Sequence, residues 1–189
     1  MPPAENLTPT PSSSFNLPVR AADFETLSEA LDYAARGDCG FNFYTARGEL
    51  KRVLTFRELR DRAIETAKGL VRSGFPVGSR IVLVADTEPD FIILFMACQY
   101  AGLLAVPVSL PTAIGGHEAY VAGLRRQIQG CGAVAAVANT ELISFLKEAA
   151  TGLDLRMVGE PHEFFALSGA GANLRPFARQ DRCYLQYSS

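Results

Sequence analysis

The last two residues, Ser188 and Ser189, are the side chains best placed to meet a ligand. They follow Cys183-Tyr184-Leu185-Gln186-Tyr187, in which Cys183, Leu185 and Tyr187 alternate with Tyr184 and Gln186 as on a strand. An open α/β sheet receives its ligands just past the carboxyl ends of its strands. A domain seldom stops on an uncovered strand, so this ending suggests a chain cut just before a functional loop. The plainer alternative is a terminal strand with a polar end. Other reactive residues offer less. A Ser-His-Asp or Cys-His site needs a histidine within reach of a nucleophile. His117 and His162 stand in loop-like contexts with no motif around them and read as solvated side chains. Cys39, Cys98, Cys131 and Cys183 are scattered with no C-x-x-C pair, the pattern of reduced, mostly buried thiols in an intracellular protein. These residues do not assemble a zinc site. No G-x-G-x-x-G follows a strand, so the dinucleotide fingerprint is absent. Gly115-Gly116 reads as a flexible turn, and Arg125 and Arg126 as the wet face of a helix.

The elements that would carry that ending are organised around Arg80 to Ser109, RIVLVADTEPDFIILFMACQYAGLLAVPVS, the most apolar stretch. Ile81 to Val84 is the pattern of a strand buried on both faces. Thr87 is expected to cap a helix in a capping box with Asp90, and Pro89 is tolerable in the first turn. Phe91 to Ala101 is apolar nearly all round and so predicts a buried helix. Gly102 ends it in a left-handed turn. Leu103 to Val108 returns as a second, parallel strand, with Pro107 near its end.

On the N-terminal side, Met1 to Pro18 is rich in Pro and Ser and reads as a loose tail. Phe24, Leu27, Leu31 and Ala34 share a helical face closed by Gly37, and Phe41 to Tyr44 reads as a strand before a turn at Ala46 to Glu49. Thr55 and Glu58 form a capping box for a helix to Ser73, with Leu54 and Leu59 as its hydrophobic staple. On the C-terminal side, a helix is expected from about Glu118 to Gln129 and a strand over Ala133 to Ala138. A helix capped by Asn139 or Thr140 follows, then a strand at Leu155 to Val158 and a short helix near Glu163 to Leu167. This alternation predicts an α/β fold: a mostly parallel sheet with helices on both faces.

The 189 residues suit one domain, and 48% hydrophobic content is ordinary for a globular chain. A net charge of −2 with no basic cluster argues against nucleic acid as a partner. The longest apolar run, Phe91 to Cys98, is too short to cross a bilayer, and no signal peptide is visible.

Four stretches, in order and spacing, resemble the adenylate-forming (AMP-binding) acyl-activating enzymes. Leu54-Thr55-Phe56-Arg57-Glu58-Leu59 resembles their L-[TS]-[YF]-x-E-L. Gly78-Ser79-Arg80-Ile81 resembles G-D-R-V, with Ser79 in place of the acid. Ala101 to Val108 resembles A-G-x-x-A-V-P-[VL]. Tyr184 to Ser189 resembles the run into their phosphate loop, cut after its second hydroxyl residue. Asn42-Phe43-Tyr44, Ala46 to Leu50 and the L-Q-Y-S-S ending are most similar to the fatty acyl-AMP ligases. The resemblance implies that residues 19–189 are the first part of an N-terminal adenylation domain, with the rest of the chain missing. It implies a cytoplasmic enzyme that uses ATP and Mg²⁺ to turn a fatty acid into an acyl-adenylate. The acyl group then passes to an acyl carrier protein, or to CoA in the acyl-CoA ligases. Tyr187, Ser188 and Ser189 would open the phosphate-binding loop, and the catalytic and metal-binding residues would lie downstream. A peptide-synthetase adenylation domain and a stand-alone, non-catalytic α/β binding module stay open as alternatives. A cut chain should also leave apolar surface uncovered near the last strand or the central sheet.

Overall fold

The computed structural model describes residues 17–21, 23–111 and 116–187. Most of the expected tail thus lies outside the described residues, although the Pro18 carbonyl accepts the Tyr33 hydroxyl. Helix α1, Leu27–Ala34, is capped by the Thr26 hydroxyl. It buries Ser28 and Leu31 and leaves Leu27 40% exposed, so its inner face is rotated from the expected one.

Strands β1, Gly40–Tyr44, and β2, Leu50–Thr55, pair antiparallel around the expected turn. β2 goes beyond the sequence expectation, because its first four residues are all exposed and carry no alternation of apolar and polar types. Helix α2, Phe56–Arg72, starts where the sequence put it, with the Thr55 hydroxyl accepting the Glu58 N–H at 3.1 Å. The Glu58 carboxylate accepts from Arg52 of β2 at 2.7 Å. Leu54 and Leu59, the staple pair, are both buried.

The remaining elements alternate: β3 Arg80–Val84, α3 Pro89–Ala101, β4 Leu104–Val108, α4 Gly116–Cys131, β5 Ala133–Val137, α5 Ile143–Ala150, β6 Met157–Gly159 and α6 Pro161–Phe165. The four strands from β3 to β6 form one parallel sheet in the order β4-β3-β5-β6. Side chains along its strands alternate between two cores, as a period of two demands. Ile81, Leu83, Ala105 and Val137 join α1, α2 and α3 on one face. Val82, Val84, Val106 and Ala136 join α4 and α5 on the other.

Helix α3 is buried over most of its surface, with Phe91, Ile92 and Phe95 half-buried, and its cap differs from expectation. Glu88, not Thr87, is the capping position, and no side chain bonds the first turn. Pro89 already removes one free N–H there. The preceding turn is held by Asp86, whose carboxylate accepts the Glu88 N–H at 3.1 Å.

The expected terminal strand is reduced to one parallel bridge, Tyr184 to Ala105 on β4, with the Leu185 N–H donated to the Ala105 carbonyl at 2.9 Å. Residues on β4 alternate in direction: Leu104 donates to Ser79 beside β3 and Val108 accepts from Ala85, so Ala105 and Pro107 face the outer edge. The next rung would need the N–H of Pro107, which has none.

The chain from Arg175 onward straps the end of α3. Arg175 and Phe177 donate their N–H groups to the carbonyls of Tyr100 and Gln99, two of the last-turn acceptors that a helix leaves open. Gly102 makes this crossing possible: its φ is +68°, and a Cβ there would sit 2.5 Å from the Arg175 carbonyl oxygen. Gly102→Ala is therefore expected to cost roughly 1–3 kcal/mol from the left-handed backbone alone, with the clash added. Urea unfolding monitored by circular dichroism would show the loss, and an unchanged midpoint would refute it.

Candidate functional site

A cleft of about 480 Å³ opens at the carboxyl end of β4. Ser109 and Leu110, which continue β4, form one wall; Tyr120, Gly123 and Arg126 on α4 form another; Tyr187 closes it. Ser188 and Ser189 lie outside the described residues, so the structure locates only Tyr187 of the three expected site residues. Tyr187 follows Leu185, whose N–H meets β4, by two residues. Its hydroxyl donates to the Gln127 carbonyl at 2.9 Å, which ties the segment to α4. Burial, and after it the neighbouring Cys131 thiol, push this phenol above its ordinary range, so it stays a neutral donor. Tyr120 donates to the Ser109 carbonyl at 3.2 Å and fixes the chain leaving β4.

Among the described lining residues, Arg126 is the one charged side chain, and there is no carboxylate. That lining suits an anion. No group of three or more His, Cys, Asp or Glu side chains able to hold a metal occurs among the described residues. The described donor set therefore does not fit Mg²⁺.

A second crevice lies where the sheet reverses, between the carboxyl ends of β3 and β5. These strands feed helices on opposite faces, the usual place for a ligand in such sheets. Here the protein bridges it itself: Asn139 donates to the second oxygen of Asp86 at 2.8 Å. Asn139 also accepts the Leu142 N–H in the turn before α5, but the capping position of α5 is Leu142 and no side chain bonds its first turn, so neither Asn139 nor Thr140 is the cap that was expected. Desolvation pushes the Asp86 carboxyl above its usual range, against the backbone and Asn139 hydrogen bonds, with Glu88 and Asp90 adding to the rise. The sequence reading missed Asp86. Its signal was a carboxylate directly after a buried strand.

Two other expectations change. His117 is not merely solvated: its Nε2 pairs with Glu148 at 2.6 Å, and its ring rests on Phe145. Arg125 is not a wet-face residue either, since it donates to the carbonyls of Ala149 and Thr151 and so closes the end of α5. His162 is largely exposed, as expected. Exposed apolar side chains occur on the terminal segment, at Tyr184 and Tyr187, and also on the hairpin, at Tyr44, Leu50 and Val53.

The model of the AMP-binding enzyme family matches residues 32–189. The chain belongs to that family. Over 183 residues it is 40% identical to a Caulobacter vibrioides chain that carries the name acyl-CoA synthetase, covering 97% of this chain and 31% of that one. A solved structure from the fatty acyl-adenylate ligases of E. coli and L. pneumophila superposes with a TM-score of 0.86 at 37% identity, over 90% of this chain and 31% of that one. The McyG A-PCP structure complexed with phenylalanyl-adenylate superposes at 0.74, covering 87% of this chain and 26% of that one. At 22% identity it speaks for the fold alone. The chain thus spans 31% of the length of its more similar relatives. The parallel α/β architecture is that of the family's N-terminal domain.

The four cysteines are all free: Cys39 is exposed, Cys98 buried, and Cys131 and Cys183 half-buried. Burial raises the Cys98 thiol to about 12, so almost none of it is thiolate at neutral pH. Iodoacetamide at pH 8 is expected to alkylate Cys39 first and Cys98 only after unfolding, as read by mass spectrometry. Modification of Cys98 in the folded chain at a rate near that of Cys39 would overturn this assignment.

Proposed function

We propose that this chain is the opening part of the adenylation domain of a fatty acyl-AMP ligase. The observation that carries the reading is its 37% identity to the fatty acyl-adenylate ligase structure. The cleft beside Tyr187, anion-friendly at the carboxyl rim of the sheet, supports it. In this reading a fatty-acid carboxylate attacks the α-phosphorus of ATP and pyrophosphate leaves. The thiol of an acyl carrier protein's phosphopantetheine then attacks the acyl carbonyl, and AMP leaves. Mg²⁺, bound by residues outside this chain, would offset the charge of the phosphates.

The part this chain plays is positional. Tyr187, held by the Gln127 carbonyl, ties the terminal segment to α4. Ser188 and Ser189 then open the phosphate loop, whose backbone N–H groups and hydroxyls bind phosphate oxygens. The rest of that loop, its glycines and its lysine, is supplied by sequence beyond these residues. A second reading, transfer to CoA in place of a carrier protein, is favoured by the name of the Caulobacter relative.

The test uses the gene product at its full encoded length. Fatty-acid-dependent ATP–pyrophosphate exchange is expected, with acyl transfer to the phosphopantetheine of carrier protein and none to CoA. Transfer to CoA alone would select the second reading, and absence of exchange with any fatty acid would overturn both. The chain of 189 residues by itself is expected to release no pyrophosphate. Release above background would refute the assignment of the remaining machinery to other sequence.

A further inference from the structure

Helix α3 carries one amide side chain, Gln99. Gln99 is only 2% exposed. A polar group so buried is destabilising unless it is hydrogen-bonded. Its Nε2 donates to the Phe95 carbonyl at 3.4 Å, a weak bond within its own helix, and to the Cys183 carbonyl at 3.0 Å. The second partner lies 84 residues along the chain, two positions before the Leu185 N–H that meets β4. A leucine or methionine would fill the same space without the desolvation cost. The amide therefore contributes something that packing does not.

Resting on the functional reading above, we propose that Gln99 is a positioning residue for nucleotide binding. It fixes the Cys183 carbonyl, and through it the register of the terminal segment against β4. The segment needs such a clamp because its own pairing is short. Pro107 forbids the rung after Ala105, so a single bridge and the Tyr187–Gln127 bond are what hold it to the sheet and α4. Two aromatic rings, Phe95 and Tyr184, pack one turn away from Gln99 with centroids 5.8 Å apart, but an apolar contact sets no register. The directional bond from Gln99 does. Its neighbour Tyr100 also makes a side-chain hydrogen bond, to Asp32 at 2.7 Å, on the side of α1. Adjacent residues on one helix thus separate the two tasks: Tyr100 joins α3 to α1, and Gln99 joins it to the approach to the phosphate loop.

The experiment compares wild type, Gln99→Met and Tyr100→Phe in the full-length gene product. Hydrogen exchange of the Leu185 amide reads the clamp, and the KM for ATP and kcat in pyrophosphate exchange read its use. Gln99→Met is expected to speed Leu185 exchange about tenfold and to raise the KM for ATP by about five- to tenfold, with the KM for fatty acid unchanged. Tyr100→Phe is expected to lower the melting temperature while leaving both readouts as in wild type. Unchanged Leu185 exchange in Gln99→Met overturns the clamp. Faster exchange with an unchanged KM for ATP overturns its role in nucleotide binding. If Gln99→Met does not fold, Gln99→Leu is read in the same way, and exchange of wild-type Leu185 at the rate of an open loop overturns the clamp. A wild-type protein without pyrophosphate exchange would sink the functional reading, while Leu185 would still judge the clamp.

Discussion

A helix apolar nearly all round has to be covered over most of its surface, and α3 imposes that demand on this fold. Helix α2 packs along it, strands β3 and β4 lie beneath it, α1 reaches Tyr100, and the strap from Arg175 crosses its last turn. Hydrophobic burial gives no direction to this covering, because apolar contact fixes neither register nor angle. Direction comes from the few polar atoms that the helix buries. The Tyr100 hydroxyl meets the Asp32 carboxylate and the Ser28 carbonyl. Burial, with the Asp32 hydrogen bond and charge after it, keeps that phenol neutral far above ordinary pH, so it is always a donor. Gln99 meets the Cys183 carbonyl, and the backbone carbonyls of Gln99 and Tyr100 are closed by the strap. Each of these atoms would be an orphan in an apolar core if its partner moved, which makes the arrangement specific as well as compact.

Much of this was readable in the residues because it depends on local periodicity. Ile81 to Val84 and Ala133 to Val137 are apolar runs with no polar face, which is what strands of a two-sided parallel sheet require. Thr55 three residues before Glu58, and Gly102 after an apolar helix, marked ends that the structure reproduces. What was not readable depends on partners far away in the chain. β2 exists because β1 pairs with it, not because Leu50 to Val53 alternate. Arg125 looked like any exposed arginine until α5 put its last carbonyls within reach. His117 and Glu148 are 31 residues apart, and nothing local announces their pairing. The shortened terminal strand is an intermediate case. Its alternation was real, but Pro107 on the neighbouring strand decides how far pairing extends.

The same division applies to the candidate site. The resemblance to the AMP-binding enzymes pointed to the last residues, of which Tyr187 lines the cleft. The composition of the cleft, with Arg126 and no carboxylate among the described residues, required the fold, because α4 and the end of β4 meet only in three dimensions. Asp86 and Asn139 needed the sheet order for the same reason. They are 53 residues apart and come together only because β3 and β5 are neighbours.

Charge then distinguishes the two openings at the rim. The crevice between β3 and β5 carries Asp86, with Glu88 and Asp90 raising its affinity for a proton. A phosphate brought within 4 Å of one such carboxylate would meet about 4 kcal/mol of repulsion per pair of unit charges at an effective dielectric of 20. The bridge from Asn139 to Asp86 occupies the second oxygen of that carboxylate. One strand further out, beside Tyr187, the described lining presents a guanidinium and no opposing carboxylate. A polyanion is therefore disfavoured at the reversal point of the sheet and favoured at the outer edge of β4, where the strap leads. The general rule for open sheets selects the carboxyl rim, and the distribution of charge selects the position along it. In this chain both depend on the segment after Arg175 being held beside β4 rather than left to pack wherever apolar surface is free.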